Sequence, residues 1–199
     1  MGNGKTEQDR SRRRRRRILI IVIYIAIAIG LAWFFESQAT TTVIFVRHAE
    51  KDLSIAEDPP LSAAGRQRVA ELTRQLVDAD VVAGIDAIYA TPFKRTRQTA
   101  EPLAARLGLP INNYDPDDND AVLSTVLKDH KGKIILVVAH SDTVPALIAD
   151  LGASKKVPPI AENEYDNIYL VSIPWFGKTK TLRLRYGAPY TGPPGEAVM

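Results

Sequence analysis

The hydrophobic pattern of the chain changes character three times. Residues 18–35, ILIIVIYIAIAIGLAWFF, are apolar without alternation or charge. As a helix they would span about 27 Å, close to the hydrocarbon thickness of a bilayer. A polar linker follows over 36–41. From residue 42 the pattern becomes short β-branched runs separated by amphipathic stretches. The runs TTVIFV, IDAIYA and KIILVVA end at Arg47–His48, Thr91–Pro92 and His140. Continuous apolar runs of this length suit strands covered on both faces, as in a parallel or mixed sheet between helices.

Stripes at helical spacing lie between them. Val69, Leu72, Leu76 and Val77 form one, with Ser62 placed to cap it. Ala100, Leu103, Ala104 and Leu107 form a second, which Pro102 is expected to interrupt or restart. Val144, Leu147, Ile148 and Leu151 form a third, entered through Ser141 or Asp142. Residues 120–129 are a weaker helix candidate. NIYLVSI and TLRLRY read as a closing pair of strands, the second an edge, and residues 187–199 as a flexible Gly- and Pro-rich tail. The fold expected is one α/β domain over 42–186, with a mixed, mostly parallel sheet flanked by helices, preceded by a transmembrane helix.

Charge sharpens the first of these segments. Residues 1–17 carry a net +6 and the rest of the chain −3, so the basic balance belongs to the amino terminus alone. Arg12 to Arg17 abut the apolar run directly, which argues for a cytoplasmic terminus beside anionic headgroups and against a nucleic-acid-binding arm. The arginines, with Trp33, Phe34 and Phe35 at the other end, predict an uncleaved single-pass signal anchor and an extracytoplasmic domain, periplasmic in a bacterium. A cleaved signal peptide ending at Ser37–Ala39 is the alternative, but its apolar region would be unusually long. With no cysteine, disulfides, thiolate metal sites and cysteine nucleophiles are excluded.

The chemistry gathers where the strands end. In open α/β sheets ligands bind beyond the carboxyl ends of the strands. Here those ends deliver Arg47 and His48, the segment TPFKRTRQTA, and His140. Arginines make paired, charge-assisted hydrogen bonds to phosphate oxygens. A neutral imidazole can attack phosphorus, and a second histidine can stabilise the charge that develops. Fixed cations of this kind perform the task of a metal, so no metal or other cofactor is expected. His130 reads as a solvated loop residue and Arg97 as a surface or supporting charge. DPDDND departs from a calcium loop, with Asp120 and Val126 at its glycine and glutamate positions, and fits a turn and helix cap better.

Four blocks in order, RHAEK, LSAAG, TPFKRTRQTA and VVAHSDTVPAL, resemble the histidine phosphatase superfamily, whose fold is phosphoglycerate mutase-like. The resemblance covers most of residues 42–186. It implies His48 as the phosphorylated nucleophile, with Arg47, Arg95 and His140 completing the catalytic and substrate-binding phosphate pocket. Thr91 stands where the family usually has serine, and Ala49 where glycine is commoner. The general acid is not carried over by position. Asp117, Asp115 and then Asp142 are the candidates, with Glu50 a further one.

The reading that follows is a membrane-anchored, metal-independent phosphatase that hydrolyses phosphomonoesters through phosphohistidine. Its substrates would be a phosphorylated small molecule, a lipid-linked phosphate or a phosphoprotein, and nucleic acid is not expected. A mutase-type phosphotransferase and a non-catalytic phosphate-binding or interaction module are the competing readings.

Overall fold

Alternate residues of the first strand, β1 (Thr40–Arg47), enter different cores. Val43 and Phe45 pack into one buried cluster, Ile44 and Val46 into the other. That is the physical content of an unbroken apolar run: both faces of the strand are covered. The computed structural model describes residues 3–37, 40–78, 84–154 and 156–191. It divides into two compact units, Met1–Ala39 and Thr40–Met199.

The second unit alternates α2 (Ala63–Asp78), β2 (Ala87–Ala90), α3 (Lys94–Leu107), β3 (Ile111–Asn113), α4 (Asn119–Asp129), β4 (Ile134–Ala139), α5 (Thr143–Asp150), β5 (Asn167–Pro174) and β6 (Lys180–Arg185). These strands and β1 form a six-stranded sheet in the order β3-β2-β4-β1-β5-β6. The first four strands of that order are parallel, and β5 and β6 close the sheet antiparallel. The mixed, mostly parallel sheet expected from the apolar runs is what forms. One face packs on α4 and α5 through Val122, Val126, Leu147 and Ile148. The other packs on α2 and α3 through Leu72, Ala100, Leu103 and Ala104. Burying each of these Val, Leu and Ile side chains stabilises by about 1.5–3 kcal/mol before ordering costs.

Several local expectations change. Helix α3 runs through Pro102 without a restart. The ring sits on the exposed side, so the helix loses one backbone hydrogen bond while the buried stripe on the opposite side holds both halves to the sheet. Strand β3 was not legible, because INN is too short to show a period. His130 is not a solvated loop residue: its Nε2 lies 2.9 Å from the Tyr89 hydroxyl, at the end of α4. The acidic loop does act as a cap, with Asp118 accepting from the Ala121 N–H at 2.9 Å.

The first unit is one helix, α1 (Asn3–Ser37). Its stretch Arg12–Phe35 is long and apolar enough to cross a membrane by length and composition. The linker expected over 36–41 is mostly absorbed by the end of α1 and the start of β1. Gln38 and Ala39, and with them the alternative cleavage site, lie outside the described residues. So do residues 192–199 of the tail. The start of that tail is tied down: the Tyr190 N–H donates to Asp166 at 2.8 Å, and the Ala188 carbonyl accepts from Arg68 at 3.1 Å.

Candidate active site

Three adjacent strands end side by side, β2 at Thr91, β4 at His140 and β1 at His48. The pairing that sets Arg47 against Ala139 continues one residue further, where the His48 N–H donates to the Ala139 carbonyl at 3.0 Å. The two imidazoles therefore emerge from neighbouring parallel strands, with ring centroids 5.4 Å apart. Arg95 enters from the first turn of α3, its guanidinium over the Phe93 ring at 4.3 Å, and that ring lies edge-on to His140 at 5.4 Å.

The RHAE loop is held by residues that follow Arg95 in sequence. The Thr99 hydroxyl donates to the Arg95 carbonyl at 2.7 Å and accepts from the Ala49 N–H at 3.0 Å. Gln98 accepts from the Leu61 N–H at 2.8 Å. Gly65, in the first turn of α2, lets the helix press against this loop: a Cβ there would collide with the Glu50 carbonyl. Ser62 caps the helix as expected, its hydroxyl accepting from the Gly65 N–H at 3.0 Å.

Hydrogen bonding decides the tautomer of His48. Its Nδ1 lies 2.8 Å from the Ala49 carbonyl. A carbonyl can only accept, so Nδ1 carries the proton and Nε2 keeps a free lone pair. Burial, opposed by that hydrogen bond and reinforced by Arg47, His140 and Arg95, lowers the pKa to about 3. His140 is lowered to about 4, by burial first and then by Arg95, with Asp142 acting against them. Both rings are neutral at pH 7.

His140 is oriented by a short relay. The single Thr96 hydroxyl proton goes to a carbonyl, of Thr91 at 2.9 Å or Phe93 at 2.8 Å. The Thr91 hydroxyl, 2.8 Å from Thr96 Oγ1, must then donate to it. The remaining contact, 3.1 Å from Thr91 Oγ1 to His140 Nε2, requires Nε2–H as donor. Threonine in place of the usual serine keeps the hydroxyl that this relay needs.

Arg47 is 5% exposed. Its Nη1 donates to the carbonyls of Ala161 at 2.7 Å and Glu164 at 3.0 Å, and Tyr165 stacks on the guanidinium at 4.1 Å. Its Nε is buried with no hydrogen-bond partner among the described residues. A buried cation with an unused donor is costly unless an anion completes it. The arrangement suits an oxyanion with several oxygens.

The acid candidates separate. The Asp115 carboxylate accepts from the Asp117 N–H at 3.0 Å in an exposed turn. Among the described residues, neither Asp115 nor Asp117 contributes to the charge environment of Arg47, Arg95, His48 or His140. Asp142 does, at Arg47, Arg95 and His140, while its side chain also accepts from the Thr143 N–H at 2.9 Å. Glu50 is engaged with Arg68 at 2.7 Å.

Sequence reasoning missed two features. Asp58 lies 3.9 Å from Arg95 and accepts from the Lys94 N–H at 3.0 Å, capping α3 from a distant loop with a backbone φ of 43°. Tyr165 stacks on the Arg47 guanidinium with its ring 6.0 Å from that of His48. Neither had a motif to mark it.

The family model of the histidine phosphatase superfamily (branch 1) matches residues 43–116, which include Arg47, His48 and Arg95. No curated protein matches the chain. Among solved structures, the chain is similar to the protein histidine phosphatase SixA complexed with tungstate, at 24% identity and TM-score 0.59, over 72% of this chain and 96% of that one. It is similar to the mycobacterial glucosyl-3-phosphoglycerate phosphatase at 15% identity and TM-score 0.54, over 73% and 98%. Phosphoserine phosphatase from Entamoeba histolytica gives 16% identity and TM-score 0.54, over 74% and 97%. The family match covers residues 43–116, and the likenesses to solved structures, each under 25% identical, show that the chain shares the fold of these phosphatases.

Proposed function

We propose that the domain hydrolyses phosphomonoesters through a phosphohistidine formed on His48, without a metal. The observation that carries this reading is the free Nε2 lone pair of a neutral imidazole, next to a buried arginine with an unused Nε. Arg47 and Arg95 hold the phosphoryl oxygens. Nε2 attacks phosphorus as the ester P–O bond breaks, and the departing oxygen takes a proton from a carboxylic acid. Water then attacks the phosphohistidine, returns a proton to that carboxylate and releases phosphate. His140, next to the nucleophile, is favoured to take up a proton when a phosphate dianion arrives and so balances the growing negative charge.

Asp142 is the acid we favour, ahead of Asp117 and Asp115, because its charge reaches both arginines and His140. Asp58, beside Arg95, is the second choice. Phe93 and Tyr165 flank the site and would face the leaving group. The three similar structures are named for a protein phosphohistidine, a sugar phosphoglycerate and phosphoserine, so their names do not converge on one substrate.

The apolar segment 18–35 anchors the chain in a membrane, with the arginines on the cytoplasmic side and the domain across it. The catalytic reading is tested by assaying phosphomonoesters with and without chelator, alongside His48→Ala. Turnover that survives chelation, with an acid-labile phosphate label on the wild type alone, is expected. Unchanged hydrolysis by His48→Ala would sink it.

A further inference from the structure

The end of the sheet opposite the site has the reverse surface chemistry. Strand β5 runs antiparallel to β1, so its last residue, Pro174, pairs with the first, Thr40. The turn that follows carries Trp175 and Phe176, 68% and 89% exposed, and the exposed Lys178 and Lys180. The turn between α4 and β4 reaches the same place. Its Gly132 N–H donates to the Thr41 hydroxyl at 3.0 Å, and its Lys133 carbonyl accepts from the Thr42 N–H at 2.9 Å. Lys131 and Lys133 are exposed there too. Two aromatic rings and four lysines thus gather around the first residues of β1. Nearby Asp129 is exposed, while the Asp86 carboxylate accepts from the Ile134 N–H at 2.9 Å.

Such a set has a specific chemical match. Tryptophan and phenylalanine beside lysine suit the boundary between headgroups and acyl chains, where rings enter and ammonium groups meet lipid phosphates. Connectivity supplies the second argument. Thr40 follows Phe35, the last residue of the apolar segment, by five residues, which is at most about 18 Å of extended chain.

We propose that the 175–179 turn docks into the interface of the membrane crossed by residues 18–35, and that this turns the phosphate site away from the bilayer. From Thr40 to Arg47, β1 rises about 23 Å, so the site stands at the far end of the sheet. The substrate class follows: phosphoesters that arrive from water, not phosphates held in the same bilayer. The inference rests on the membrane-anchor reading above and deepens it.

The test uses the full-length chain in phosphatidylcholine–phosphatidylglycerol vesicles, with Trp33→Phe leaving Trp175 as the sole tryptophan. Lipids brominated near the top of the acyl chains are expected to remove about half of the Trp175 emission. Leu53→Cys, in the loop beside the site, supplies the only thiol of the chain; its fluorescent label is expected to keep its emission in the same lipids. If the chain resists alkaline carbonate extraction yet Trp175 is unquenched, the anchor stands and the docking proposal is overturned. Quenching of the Leu53→Cys label overturns the orientation. Release of the chain by carbonate overturns the anchor, and the docking with it.

Discussion

At the carboxyl end of β1 charged and polar side chains are buried, whereas at its amino end apolar rings are exposed. Arg47 and His48 are almost wholly covered, though neither belongs in a protein interior by solvation alone. Trp175 and Phe176 face outward beside the start of β1, a strand whose own apolar residues are buried. Each end departs from the ordinary rule of burial in the opposite sense. On our two proposals, the chain places the wrong polarity where a ligand corrects it: an oxyanion at one end and lipid at the other. Between them the sheet is an ordinary two-sided core.

The sharpest way to break this contrast is at the charged end. Arg95→Ala is expected to lower kcat/KM by about 10²–10³-fold, as loss of one preorganised donor to transition-state charge does. A steady-state assay that found less than a tenfold loss would remove Arg95 from the phosphate pocket. Asp142→Asn is expected to cost about 10²-fold with an alkyl phosphate and much less with p-nitrophenyl phosphate, whose leaving group needs no proton. An equal loss with both esters would point away from Asp142 as acid. The same comparison with Asp58→Asn separates the two carboxylates.

Smaller effects concern stability. Gly65→Ala is expected to destabilise the domain by about 1–3 kcal/mol, read as a lowered Tm, because its Cβ meets the Glu50 backbone. Removing the aromatic rings of the 175–179 turn should have a smaller effect, since both rings are largely exposed. Acid should also act at the site. His48 and His140 have folded pKa values of about 3 and about 4, below the ordinary 6.5, so from pH 6.5 downward the unfolded chain binds more protons than the folded one. Stability is then full above pH 6.5 and falls as pH drops toward those values, by up to about 1.4 kcal/mol per pH unit for each ring. Denaturant melts at pH 7 and pH 5 should show that loss in the wild type and a shallower one in His48→Gln.

Much of this arrangement was legible before folding. The runs VIFV and IILVV announced strands covered on both faces, because only such strands can be apolar at successive positions. The order of RHAEK, LSAAG, TPFKRTRQTA and VVAHSDTVPAL pointed to one crevice, because parallel strands deliver their carboxyl ends to the same edge. What misled was local chemistry read in isolation. Pro102 looked like a break, but tertiary packing of Ala100, Leu103 and Ala104 outweighed one lost hydrogen bond. Of the acid candidates in DPDDND, Asp115 accepts from a backbone donor of its own turn, while the same loop caps α4 through Asp118 as its sequence suggested.

By itself, then, the sequence determined the alternation of strands and helices, the apolar helix at the amino end, and which residues leave the strands at the site. Those properties follow from periodicity and from the chemistry of short motifs, which act within a few residues. Only the tertiary structure decided that Asp58 and Tyr165 join the arginines, which nitrogen of each imidazole carries the proton, and that the 175–179 turn lies beside the first residue of β1. These depend on contacts between residues far apart in the chain, and nothing in the local pattern records which distant group will be the neighbour.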